Sequence, residues 1–442
     1  MKTRIIIISI VVATLLAIAL VSCGGKSATQ PDEPDLSCAN LNLAPDSQRV
    51  DLVPPPFSNP TNVTNPLFPV LTQHRVLLLG NVDGVPLRVE VTLMSETRVI
   101  NWNGQAVETL VSQYVAFIGG RIHEVALDWY AQGDDGAVWY FGEDVFNYED
   151  GRIADTDGTW LAGVDGPAGM IMAGSPQVGD VWRPENICES VFEQVTVQSI
   201  GVTVNGPRGP VSGAVVTLEL HLDGLQESKT FAPGYGEFST GSGTDLEAVA
   251  LAVPTDALPG PMPAELGTLW SGAASIFDAA ESGAWNSASA TTDEITAAWN
   301  SFQAGQVPPM LRDQMNEAQS RLVGAVAARQ VAGARQASID VARATLDLQL
   351  RHRPRAEVDI ALIELWVRQL LVDEAADDSD AVMGDVVAIK WTRDRLTSSE
   401  AASVEAELRA VLAAAEVHDL ATTKAAAARL RHTVARLASG RV

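Results

Sequence analysis

Residues 128–142 read Asp-Trp-Tyr-Ala-Gln-Gly-Asp-Asp-Gly-Ala-Val-Trp-Tyr-Phe-Gly. Aromatic residues stand on both sides of a Gly-Asp-Asp-Gly turn, which is typical of a β-hairpin in an antiparallel sheet. The turn predicts three cross-strand pairs: Gln132–Ala137, Tyr130–Trp139 and Trp129–Tyr140. Because side chains alternate along a strand, the two aromatic pairs lie on opposite faces of the sheet. The second face is therefore either covered by another layer or lines a cavity, in which case these aromatic residues bind a ligand.

The same alternation extends over residues 67–244, the predicted β-domain. Runs such as Val85–Ser95 and Val107–Ile118 alternate apolar and polar residues, and short turn segments separate them. This spacing predicts antiparallel hairpins that follow one another as a β-meander, curved into a half-barrel or a barrel.

A different pattern begins after a proline-rich segment, residues 245–263, which we predict to be a linker. From residue 264 to residue 442 the chain is rich in alanine, and its apolar residues recur at helical spacing. Residues 358–372 are apolar nearly all round, which predicts a helix in the centre of a bundle. The predicted fold class is therefore α+β, an antiparallel β-domain followed by a C-terminal α-helical bundle.

The N-terminus has the features of an export signal. Basic residues at positions 2 and 4 precede an uncharged apolar run, Ile5–Val21, and the small residue Ser22 stands before Cys23. This arrangement predicts a removable signal peptide over residues 1–22 rather than a membrane-spanning helix, for which the run is short.

The end of this signal, Leu-Val-Ser-Cys at residues 20–23, resembles the lipobox of bacterial lipoproteins. The resemblance implies that Cys23 carries lipid and anchors the protein on the extracytoplasmic side of a bacterial membrane. Gly24 rather than Asp follows the cysteine, which in a Gram-negative host suggests the outer membrane. Residues 23–66 are rich in proline and are expected to be a tether.

Charge and cysteine content limit the partners further. The formal net charge of −25 at pH 7 repels nucleic acid, so we expect no nucleic-acid partner. Besides Cys23 the chain has two cysteines, Cys38 and Cys188. Outside the cytoplasm such a pair is more often bridged than free, which favours a disulfide over two separate thiols.

Catalytic and metal-binding motifs are absent. The sequence contains no Gly-x-Ser-x-Gly, P-loop or His-Glu-x-x-His motif, and its six histidines are scattered, so we predict no metal site and no cofactor. Two alternatives stay open. One is a hydrolase of envelope polymers that uses carboxylates in Glu143–Asp157. The other is a metal or haem carrier in the bundle, for example through His432 with Met310 or Met315.

Several short sequence segments of the β-domain are similar to segments of known proteins. They are residues 65–69, residues 128–132 with 138–144, residues 175–180 and residues 231–236. They resemble a group of uncharacterised exported bacterial proteins, many of them lipoproteins, with one β-rich domain at about residues 65–240. The resemblance implies no catalytic residue. We therefore expect a non-enzymatic lipoprotein of the cell envelope whose β-domain binds a small ligand or an envelope protein.

Overall fold

The computed structural model describes residues 37–438. In this range an antiparallel β-sheet is followed by eight α-helices, which is the predicted α+β fold. The long strands are β1 (Arg75–Val82), β2 (Val85–Trp102), β3 (Gln105–Ile118), β4 (Arg121–Gln132), β5 (Val138–Glu149), β11 (Val191–Gly206), β12 (Gly209–His221), β13 (Gln226–Ala232), β14 (Gly236–Ser242) and β15 (Asp245–Val253). Between β5 and β11 lie the short strands β6 (Arg152–Asp155), β7 (Trp160–Leu161), β8 (Gly169–Met172), β9 (Val181–Trp182) and β10 (Asn186–Ile187).

The helices form the second layer. They are α1 (Ala264–Ser282), α2 (Trp285–Phe302), α3 (Pro309–Ala327), α4 (Val331–Gln349), α5 (Arg355–Ala375), α6 (Ser379–Arg393), α7 (Ser398–Glu416) and α8 (Leu420–Ala438). Helix α5 is buried on most of its surface, as its nearly continuous apolar sequence predicts, and it contacts α4, α6 and α8.

The sheet consists of two meanders that meet at β1 and β15. Its hydrogen-bonded order runs from β10 to β15 and then from β1 to β6, so the first strand pairs with the last. Strand β8 pairs with β5, strand β9 pairs with β11, and β8 lies beside β9. The two ends of the sheet therefore approach each other, and the sheet encloses an interior as a barrel does.

The two faces of the sheet have different neighbours. On the outer face Leu77, Val115 and Val125 join the core of the helical bundle. On the inner face Val76 and Leu78 pack with Val89 inside the barrel. Strand β1 has no exposed residue, and the exposed residues of β3 and β4 lie only at the start of each strand, so both layers cover most of these strands.

Two predicted boundaries are wrong. Residues 245–253, expected in the linker, form β15, because their alternating side chains pair between β14 and β1 and close the sheet. Residues 37–66, expected in the tether, pack against the barrel. Val63 and Asn65 are buried there, and the Asn65 side chain donates hydrogen bonds to the carbonyls of Gly136 and Ala173.

The predicted pairing of the β4–β5 hairpin is wrong by one residue. The observed pairs are Gln132–Val138, Ala131–Trp139 and Tyr130–Tyr140. Ala137 belongs to the turn, because its N–H donates to the Asp135 carboxylate and its carbonyl accepts from the N–H of Gly133. The turn is therefore one residue longer than the Gly-Asp-Asp-Gly pattern indicates.

All four aromatic residues of this hairpin are buried. Tyr130 and Tyr140 stack with ring centroids 4.9 Å apart. Trp129 lies under the guanidinium of Arg98, and Trp139 contacts Trp102. Both faces of the hairpin are thus covered, and Tyr130 on the inner face also lines a cavity.

Candidate functional site

The barrel encloses a cavity of about 70 Å³. Its apolar wall includes Phe68, Tyr130 and Phe231. Its polar wall is unusual because carboxylic side chains dominate it: Glu124, Asp128, Glu143, Glu237 and Glu247, with Lys229 as the one ammonium group among the lining residues.

Strand alternation places these acids inside. In β4 the odd residues Val125 and Leu127 pack against the core of the helical bundle, whereas the even residues Glu124 and Asp128 line the cavity. From the sequence alone, a strand with this alternation is expected to expose its charged face to solvent. Closure of the barrel turns that face into an interior.

A bulge brings Glu143 to the same interior. Tyr140 pairs with Tyr130, whereas Glu143 pairs with Asp128, so β5 has one residue more than β4 between these pairs. Gly142 occupies the bulge with a φ of 118°, and a Cβ there would lie 2.2 Å from the carbonyl oxygen of Trp160. Only glycine fits this position, and it allows both Tyr140 and Glu143 to point inward.

The acids of the cavity continue into a larger group, which we call the carboxyl ring. Its members are Glu124, Asp128, Glu143, Glu185, Glu193, Glu219, Glu227, Glu237 and Glu247. Every member of the ring except Glu237 is exposed by 4 % or less. Cross-strand pairing sets Asp128 beside Glu143 and Glu219 beside Glu227, so like charges face each other across neighbouring strands.

Two basic side chains meet one part of the ring. Nζ of Lys229 lies 2.8 Å from Oε2 of Glu219 and 3.7 Å from a carboxylate oxygen of Glu237. The imidazole of His221 lies between Glu193, at 3.3 Å, and Glu227, at 3.5 Å. The remaining acids have neutral donors at best: Tyr140 donates to Asp128 at 2.8 Å, and the Trp160 indole donates to Glu185 at 3.0 Å.

Some carboxyl oxygens of the cavity wall are without a hydrogen-bond partner among the described residues. They are Oε2 of Glu124 and Oε2 of Glu247, whereas Glu143 and Glu185 form a carboxyl–carboxyl hydrogen bond with each other. A buried polar atom without a partner is costly, so each such atom calls for a specific explanation.

Burial changes the protonation of the ring. Burial, with a smaller contribution from Asp128, raises the pKa of Glu124 to about 8. Burial raises the pKa of Asp128 to about 7, although the hydrogen bond from Tyr140 opposes this. For Glu143 burial and the neighbouring charge of Glu185 raise the pKa well above its usual range, and Glu247 is raised similarly by burial and Glu237.

The basic neighbours act in the opposite direction at one place. Burial favours the neutral form of Glu193, but the hydrogen bond and charge of His221 outweigh it and lower the pKa of Glu193. Burial likewise works against the charged form of His221, yet Glu193 and Glu227 raise the pKa of His221 well above its usual value. Glu193 and His221 are therefore ionised, whereas burial favours the protonated forms of Glu124, Glu143 and Glu247.

The ring thus has nine acids and two bases. Burying that many uncompensated negative charges is prohibitive, so the excess carboxyls must either stay protonated or face a cation. The carboxyls of the ring can therefore release protons when a positively charged ligand binds to them.

One part of the ring also has the arrangement of a metal site, which the sequence did not predict. Glu193, Glu219 and His221 each bring one ligand atom within 4.8 Å of the others. These residues lie on β11 and β12, and no short motif connects them. The ammonium of Lys229, 2.8 Å from Glu219, already supplies positive charge at this position.

The structure places the site residues predicted from the sequence in different surroundings. Of the four hairpin aromatics, Tyr130 lines the cavity, whereas Tyr140, Trp129 and Trp139 lie in packed surroundings. Cys38 and Cys188 are joined in a disulfide with an S–S distance of 2.11 Å. Cys23, the predicted lipidation site, lies outside the described residues.

The two alternatives can also be placed. In the region Glu143–Asp157, Glu143 belongs to the ring. Asp155 is the last residue of β6 and accepts a hydrogen bond from Asn147, and Asp157 lies in the turn that follows. In the bundle His432 is exposed on α8 and Met315 is fully buried in α3, an arrangement that gives no support to a haem held by both.

No protein-family model matches this chain, and no curated protein matches it significantly. The resemblance of residues 65–240 to exported bacterial proteins stays a prediction. Among the described helices, none combines the length and the apolar character that crossing a membrane requires.

Proposed function

We propose that this protein is an extracytoplasmic, lipid-anchored binding protein whose barrel holds a small organic cation. The observation that carries the proposal is the excess of buried carboxyls in the wall of the cavity, where Oε2 of Glu124 and Oε2 of Glu247 have no partner. A protonated amine or quaternary ammonium supplies the positive charge that these groups lack.

The apolar part of the wall supports an organic cation over a bare metal ion. Phe68 and Tyr130, whose ring centroids are 5.0 Å apart, lie beside the carboxyls, and aromatic faces attract ammonium groups. The volume of about 70 Å³ holds roughly five water molecules, which corresponds to a ligand of fewer than about ten non-hydrogen atoms.

A hydrolase of envelope polymers is the second candidate, because Asp128 and Glu143 are cross-strand neighbours and both have raised pKa values. A protonated and an ionised carboxyl side by side suit general acid–base chemistry. The size of the cavity speaks against it, since polymer substrates need a groove far larger than 70 Å³.

The location rests on the lipobox resemblance of residues 20–23 and on the disulfide between Cys38 and Cys188. Disulfides persist in extracytoplasmic compartments, so the bond supports export. Residues 24–36 leave room for a link between lipid on Cys23 and the packed segment that begins at residue 37.

Calorimetric titration of the purified full chain with choline and n-butylamine tests the proposal, with 3,3-dimethylbutan-1-ol as the uncharged isostere of choline. We expect at least one cation to bind at least tenfold more tightly than the alcohol. Its affinity should rise between about pH 5.5 and about pH 8.5, because the wall carboxyls must release protons to face a cation.

Glu143→Gln removes one ring carboxyl and should weaken cation binding at least tenfold. Glu149→Gln is the matched control, since it makes the same change at an exposed position of the same strand. Equal affinities for cation and alcohol, or no binding of either cation, would refute the proposal. Polymer cleavage that Glu143→Gln abolishes would favour the hydrolase instead.

A further inference from the structure

A second cavity lies between the barrel and the bundle. This interlayer cleft has a volume of about 690 Å³, within the range of small-molecule sites. Strands β1 to β3 form one wall, and helices α3, α4 and α5 form the other. It shares no lining residue with the barrel cavity.

Arg343 is the distinctive residue of the cleft. Its guanidinium lies 4.2 Å from the centre of the Trp366 ring, and Phe117 stacks on the same tryptophan with centroids 5.1 Å apart. This packing fixes the plane of the guanidinium.

The charge of Arg343 has no direct partner. Its Nη1 is buried and forms no hydrogen bond, and no ion pair joins it to a carboxylate, within residues 37–438. Burial and the neighbouring charge of Arg88 lower the pKa of Arg343 to about 10, so it still carries its charge at neutral pH.

Apart from exposed Asp313, the charged neighbours of Arg343 in the cleft are already in use. Arg88 binds both oxygens of Asp347 at 2.7 and 2.8 Å. At the rim Arg321 binds Asp340 and Glu317, so these carboxylates are satisfied without Arg343. These carboxylates are therefore engaged by arginines other than Arg343.

The rest of the wall fits an organic molecule. Leu79, Leu87 and Met310 provide apolar surface, and Oε1 of Gln314 is a buried acceptor without a partner in the described part of the chain. A ligand here would bury an apolar body, meet Arg343 with an acceptor pair and meet Gln314 with a donor.

We propose that the interlayer cleft is a second binding site, which takes an organic carboxylate with an apolar body through a planar contact with Arg343. It is independent of the cation site in the barrel, because the two cavities have different walls. A ligand in this cleft contacts both layers and so favours their association.

Titration of the full chain with 4-phenylbutyrate, 4-phenylbutylamine and 4-phenylbutan-1-ol tests this site, because the three probes share one apolar body and differ in charge. We expect the carboxylate to bind at least tenfold more tightly than the other two. Arg343→Gln should remove that preference, whereas Arg98→Gln, which removes an arginine stacked on Trp129 outside the cleft, should keep it.

The comparison of the three probes on the unaltered protein does not depend on any variant's folding. Equal affinities for the three probes, or no binding of the carboxylate at millimolar concentration, would refute the proposal. So would an Arg343→Gln protein that folds and keeps the preference for the carboxylate. Cation binding in the barrel would be unaffected by any of these outcomes.

Discussion

Replacing Glu124 by glutamine should make the protein more stable at alkaline pH. Glu124 is 1 % exposed, and burial, with a contribution from Asp128, raises the pKa of its carboxyl from 4.5 to about 8. In the unfolded chain the same carboxyl ionises near 4.5. The folded state therefore binds more protons above that pH, and its stability falls as the pH rises.

The size of the effect follows from these two pKa values. Raising the pKa of this carboxyl from 4.5 to about 8 lowers the free energy of unfolding by about 5 kcal/mol once the carboxyl is fully ionised. Between about pH 5 and about pH 9 the free energy of unfolding of the wild type should fall by about 4 kcal/mol through this carboxyl. Glutamine has nearly the same shape as a protonated glutamate and cannot ionise, so the variant loses none of it.

The assay is urea denaturation of both proteins at several pH values. At about pH 5 the two free energies of unfolding should be similar, and the variant should gain steadily toward about pH 9. Other ring carboxyls titrate in both proteins and largely cancel in the difference. Glu149→Gln, at an exposed position, should show no such gain. A difference between wild type and Glu124→Gln that does not change with pH would refute the reasoning.

Three further predictions concern other parts of the molecule. Asp359→Ala should destabilise the protein by about 3–5 kcal/mol in urea denaturation, because it leaves buried Arg75 without its partner at 2.6 Å; the same change at exposed Asp313 should cost far less. Reducing the Cys38–Cys188 disulfide should lower the free energy of unfolding by about 2–5 kcal/mol, and unchanged denaturation with and without reductant would contradict this. Cys23→Ala should abolish metabolic labelling with a fatty acid, whereas equal label in both proteins would exclude the lipid anchor.

The sequence predicts the fold better than the site because the two depend on different information. Period-two alternation and helical spacing are local, so the strands around residues 85–132 and the central helix at residues 358–372 could be read directly. The length of the β4–β5 turn could not, because it depends on one side-chain hydrogen bond of Asp135. Residues 245–253 look like a linker until their partners β1 and β14 are known.

The carboxyl ring was out of reach for a related reason. A strand such as β4, with Val125 on one side and Glu124 on the other, is read as half-buried with its acids in water. Closure of the sheet instead places these acids in the interior of the barrel. This closure depends on pairing between strands far apart in sequence. The one local sign is Gly142, whose bulge directs Glu143 inward, but a single glycine in a strand has many other uses.

The same fold buries two groups of charged residues, and their difference bears on function. Between the layers four arginines meet three acids: Arg75, Arg88, Arg355 and Arg395 with Glu90, Asp347 and Asp359. A polar group that only holds two layers together can be nearly balanced in this way by the chain's own residues. The carboxyl ring is not balanced, since nine acids meet Lys229 and His221. An interior that serves packing alone gains nothing from such an excess, because apolar residues would fill it at lower cost. The excess negative charge therefore points to something that enters the barrel from outside, which is why we assign the ring to binding rather than to architecture.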